Sequence, residues 1–174
     1  MFFVVLWFLI FIPALIHIFV DRHPRRRTRG RVLELLFFWQ LGMGGALSIF
    51  GGFGHIGPNH EEIADQIGFA QSPFQWEVGF ADIAAGVLML LATWKRGDFI
   101  IPAIIAIAIM YIGDAIGHIW QWYEHDNSEP YNTYSIQADL LQPILLIIFY
   151  YLVKRARPEA LARRRHGRHT PAAA

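Results

Sequence analysis

Five long apolar runs separated by short polar links dominate the chain, at about residues 2–20, 32–53, 74–94, 99–121 and 133–153. A helix rises 1.5 Å per residue, so each run approaches the roughly 20 residues needed to cross a bilayer. The pattern predicts an all-α fold: a polytopic membrane helical bundle of five transmembrane helices, forming a single unit over residues 1–153. Between the second and third runs, NHEEIADQIGFA sets Ile63, Ile67 and Ala70 on one helical face and His60, Glu61, Glu62 and Asp65 opposite or flanking it, after Pro58 and Asn59 as a start signal. A short amphipathic helix is expected there, with Glu61, Glu62 and Asp65 on a lid across the outer mouth of the bundle.

Charge adds an orientation. All 15 Lys and Arg residues fall in three clusters, Arg22–Arg31, Lys95–Arg96 and Lys154–Arg168, which five crossings place on one side. The links at 54–73 and 123–132 contain none and carry Glu61, Glu62, Asp65, Glu124, Asp126 and Glu129 instead. The positive-inside rule then puts the N-terminus out and the C-terminus in, with residues 154–174 as a basic, disordered cytoplasmic tail. The expected location is a prokaryotic cytoplasmic (inner) membrane. The first run lacks the basic start and small-residue cleavage site of a signal peptide, so it is expected to stay as a span. The tail's arginines read as a topology anchor, and no nucleic acid is expected as a partner. With no cysteine, thiolate ligands and disulfides are excluded for this chain.

A composition that is 55% hydrophobic makes the polar residues inside the runs informative. In GDAIGHIWQWYEHD, the residues Asp114, His118, Gln121 and His125 recur at helical spacing on one face. His55 closes the second run, Glu77 and Asp82 lie in the third, and Asp139 and Gln142 lie in the fifth. All fall toward the outer half, whereas the inner half has few polar groups. At mid-bilayer each ionisable side chain facing lipid costs about 2.5–3.5 kcal/mol on insertion scales, so these groups need partners, protons or a metal. Imidazole and carboxylate ligands on facing helices suit a transition metal (Zn, Fe, Mn or Cu). The expected ligands are His55, Glu77, Asp114, His118 and Asp139, with Asp82, Gln121, His125 and Gln142 as supporting or proton-sharing groups. No haem or nucleotide motif is seen. The triplets Gly54-His55-Ile56 and Gly117-His118-Ile119, and Ala81-Asp82-Ile83 and Ala138-Asp139-Leu140, echo one another as in a parallel repeat of two hairpins.

These same stretches carry a resemblance. Gly54-His55, Ile63 to Gly68, Ser72 to Glu77 and Gly113 to His118 are similar to the pattern of an uncharacterised family of small prokaryotic integral membrane proteins. The resemblance implies a shared fold and a shared site at His55, Glu77, Asp114 and His118, with no established activity. More distantly, the last four runs resemble the DoxX-like group of four-helix membrane proteins, some of which belong to redox assemblies. The functional expectation is a metal-binding membrane protein or part of a redox enzyme. A structural or accessory subunit of a larger complex, and a small-molecule or proton-path protein, stand as alternatives. Expected partners are membrane lipids and either other membrane subunits or further copies of this chain.

Overall fold

A computed structural model describes residues 2–167, with side chains from 4 to 156. Six α-helices follow one another: α1 (Phe2–Val20), α2 (Arg29–Ile56), α3 (His60–Ile67), α4 (Phe74–Lys95), α5 (Ile100–Glu124) and α6 (Pro130–Gly167), with a 3-10 turn at Gly97–Phe99. Each apolar run is a helix, and α3 is the short amphipathic one between the second and third. Four helices, α2, α4, α5 and α6, are long and apolar enough to cross a bilayer, while the apolar stretch of α1, Val4–Val20, is shorter. Their outward faces are apolar as well. Phe19, Trp94, Ile109, Ile116 and Tyr151 are all exposed, the reverse of what water favours.

The helices overrun the apolar runs because local chemistry continues them. Thr28 caps α2, its Oγ1 accepting from the Arg31 N–H, and so starts the helix ahead of Val32. Helix α6 runs past the last apolar run as far as Gly167; residues 168–174 of the expected tail lie outside the described residues. Gly68 ends α3 in the left-handed region at φ 75°, where its N–H returns to the Ala64 and Asp65 carbonyls and a side chain would be strained.

The closest helix pairing is α2 on α4, built on glycines seven residues apart on both helices. A Cβ on Gly45 would lie 2.7 Å from the Gly86 carbonyl oxygen, and one on Gly86 2.5 Å from that of Gly45. Gly52 and Gly79 repeat the arrangement two turns on. Backbones touching in this way maximise dispersion and exclude side chains from the seam. Away from α3 the bundle is filled by Phe37, Leu41, Met89, Ile107 and Leu146, all buried. Toward α3 it is not filled, and that is where the site lies.

Helix α1 stands outside the ring of α2, α4, α5 and α6 and is fastened at the basic end. Trp39 Nε1 donates to His17 Nδ1 at 3.0 Å, which gives His17 a packing role. Arg31 pairs with Asp21 at 2.9 Å and Glu34 at 3.1 Å, and Arg96 stacks on Phe38, 4.4 Å from the ring centroid. The hydrogen bond from Arg31 lowers the Asp21 pKa from its ordinary 3.8 to about 2. For a depressed carboxylate the stabilisation is complete above the ordinary value and is lost as pH falls toward the lowered one. We expect the α1–α2 contact, read as the dipolar distance between two spin labels, to hold down to about pH 4 and to loosen below it. Asp21→Asn should loosen it at neutral pH.

Candidate functional site

A cavity of about 580 Å³ occupies the α3 end of the bundle. Its walls are mainly apolar, and its polar groups converge from four helices: Ser48 and His55 on α2, Asp82 on α4, Tyr111, Asp114 and His118 on α5, and Asp139 and Gln142 on α6. Leu6, Trp7 and Ile10 of α1 also line it, and Ile63, Ala64 and Ile67 of α3 form its cover. Six polar residues singled out in the sequence, His55, Asp82, Asp114, His118, Asp139 and Gln142, are thus brought together around one space. Asp114 lies within electrostatic reach of both Asp82 and Asp139, and His55 of His118. Among the described residues, none that lines it is Lys or Arg.

The remaining candidates lie elsewhere. Glu77 is exposed and does not line the cavity; it sits 500° of helix, or 140° around the axis, from Asp82, and one end of a helix lets it reach the surface at little cost. Gln121 and His125 also fall outside the lining. His125 caps α5 with its ring exposed, because the helix ends at Glu124 before the stripe is complete. Glu61, Glu62 and Asp65 are exposed on the outer face of α3, away from the cavity, while the apolar face of the helix turns inward. Among the described residues, no three His, Asp or Glu side chains form a group that would hold a metal ion, so the five expected ligands are not a preformed set.

His118 is the most tightly positioned of the site residues. Its Nδ1 meets Asn132 Oδ1 at 2.7 Å. Asn132 is fully buried, and its Nδ2 donates to the carbonyl oxygens of His118 (3.2 Å) and Asn127 (2.8 Å). That fixes the amide: its oxygen accepts, so His118 carries a proton on Nδ1. Its Nε2 faces Asp139 Oδ2 at 3.9 Å, bare when the ring is neutral and paired with the carboxylate when it is protonated. Phe69, just past α3, lies over the imidazole with ring centroids 5.5 Å apart. Across the cavity, Ser48 Oγ donates to the Asp82 carbonyl oxygen at 2.9 Å. Pro143 has no N–H, so the helix cannot tie down the Asp139 carbonyl four residues earlier.

The lid is anchored at both ends. Asn127 Nδ2 donates to the carbonyl oxygens of Ile67 (2.9 Å) and Gly68 (3.2 Å), and Gln75 Nε2 donates to that of His60. The inventory of hydrogen bonds also leaves a remainder. Three buried polar atoms of cavity-lining residues have no protein partner: Trp7 Nε1, His55 Nδ1 and Gln142 Nε2. Buried polar atoms without partners are rare and each costs about 1–3 kcal/mol.

Sequence reasoning missed Asn132, Ser48, Trp7 and Phe69. Ser48 had a signal, since it lies midway between Gly45 and Gly52 on the seam of α2. Asn132 and Phe69 sit in links whose composition is ordinary, and Trp7 reads as one more apolar residue of α1.

The first 159 residues match the model of a family described as a family of unknown function, DUF6790, and the chain belongs to that family. Neither curated proteins nor solved structures yield a match. The similarity to the DoxX-like group finds no support in these comparisons.

Proposed function

We propose that this member of DUF6790 is an integral membrane protein that binds a small amphipathic molecule, a lipophilic organic cation, in the cavity beneath α3. Four helices of spanning length with apolar outer faces support its residence in the bilayer. The distribution of Lys and Arg supports an orientation with the α3 end outside, and α1 serves as a fifth, peripheral span.

The observation that carries the reading is the cavity's mismatch with itself. Three carboxylates face it with no Lys or Arg among the described lining residues. Carboxylates removed from water need a counter-charge or protons. A single ligand with a positive centre supplies that counter-charge. About 580 Å³ falls within the roughly 300–1,000 Å³ of small-molecule sites, and the lining is mostly apolar, as such sites are.

A transition metal is the second reading, favoured by one feature: the tautomer of His118 points a bare Nε2 toward Asp139. The two readings separate on one purified sample. Native mass spectrometry from mild detergent should find an organic adduct on the wild-type chain that is lost in Asp114→Asn/Asp139→Asn. Element analysis of the same sample should find no stoichiometric metal. Metal near one atom per chain that disappears in His118→Ala would reverse the order of the two readings.

A further inference from the structure

Helix α3 covers the cavity at one end, and residues of α4 and α5 that line it also reach the outside of the bundle. Gly113 and Gly117, one turn apart on α5, line the cavity and are exposed on the outside of the bundle; Phe74 and Val78, one turn apart on α4, do both as well. A Cβ built on either glycine would meet no protein atom within 4 Å. That separates them from the seam glycines Gly45, Gly52, Gly79 and Gly86, where a Cβ strikes backbone. Glycine is the poorest helix former after proline, so two at i and i+4 that pack against nothing weaken α5 without a gain in packing. What they leave is space beside Asp114 and His118. Deeper in the cavity wall, Gln142 is only 6% exposed, and its Nε2 lies against Gly44 of α2.

Resting on the cavity reading above, we propose that Gly113 and Gly117 edge a lateral window between α4 and α5 that opens to the lipid. The ligand is a single-chain amphiphile that passes through this window. Its cationic head lies at Asp82, Asp114 and Asp139, and its chain lies in the window against Phe74 and Val78. The anchored lid excludes the aqueous route, because α3 is held by Asn127 at one end and Gln75 at the other.

The test uses the full chain in phosphatidylcholine vesicles, with radiolabelled dodecylamine as the probe and protein-free vesicles as the baseline. Gly113→Leu and Gly117→Leu should slow association about tenfold, and the alanine variants by a smaller factor in the same order. The alanine variants should melt at or above the wild-type temperature, since a Cβ at either position meets nothing and helix propensity rises. The alanine variants keep the test open if a leucine variant folds poorly. Unchanged association in the window variants, with Asn127→Ala speeding it by freeing the lid, would overturn the window and leave the cavity reading intact. No saturable binding of the amine by the wild type would sink the cavity reading itself.

Discussion

Gly86→Leu is expected to abolish the native bundle, lowering stability by about 3 kcal/mol or more. At this position even the first atom of a side chain would lie 2.5 Å from the Gly45 carbonyl oxygen and 2.7 Å from Ile49. The obstacle is backbone on a facing helix, which cannot rotate aside as a side chain can. The α2–α4 pair would have to separate along its length, uncoupling Ser48 from Asp82 and opening the cavity floor. At Gly113, by contrast, the first side-chain atom meets nothing within 4 Å, and Gly113→Ala should leave the melting temperature at or above that of the wild type. Thermal unfolding in detergent, followed by circular dichroism, measures both. A small loss for Gly86→Leu would mean that the two helices do not touch through their backbones.

The second large effect is expected at Asn132. This side chain ties together the end of α5, the start of α6 and the link that holds the lid, through His118 Nδ1, the His118 carbonyl and the Asn127 carbonyl. Asn132→Leu keeps the approximate volume and removes all three bonds. A net hydrogen bond contributes about 1 kcal/mol, and a donor left buried costs about 1–3 kcal/mol, so the total should reach about 3 kcal/mol. The imidazole should also lose its fixed tautomer. Asn132→Asp preserves the acceptor for His118 Nδ1 and loses the two donations, so it should keep the tautomer while losing stability. Nitrogen-15 chemical shifts of the His118 ring separate the two variants. A shift pattern unchanged in Asn132→Leu would show that another group orients the ring.

Much of the fold could be read in the sequence because membrane crossing imposes a simple demand: every run of about 20 apolar residues has to satisfy its backbone internally, which a helix does. The amphipathic period of α3 was legible for the same reason, as a second face of polar residues. The runs did not show where the helices stop, which depends on caps such as Thr28 and Gly68. The site was legible where burial made polarity costly. Asp82, Asp114, His118, Asp139 and Gln142 sit deep enough in apolar runs that facing outward would be expensive, and they face the cavity. Glu77 is near a helix end, where that cost fades, so its position carried little information about its direction. Asn132 and Trp7 were not legible because their importance comes from neighbours that only the folded chain brings to them. Likewise, a glycine in the seam and a glycine at the window look the same in a sequence, and only the facing helix distinguishes Gly86 from Gly117.

The claim that this cavity holds a lipophilic cation is tested most directly by equilibrium binding of two probes with the same chain and opposite head charge, dodecylamine and dodecanoate. The comparison sets the full chain in phosphatidylcholine vesicles beside Asp114→Asn/Asp139→Asn. Saturable binding of one amine per chain, little binding of the carboxylate, and a loss of amine affinity of at least about tenfold in the double variant is the predicted result. Equal binding of the two probes, or amine binding that the double variant leaves unchanged, would contradict it.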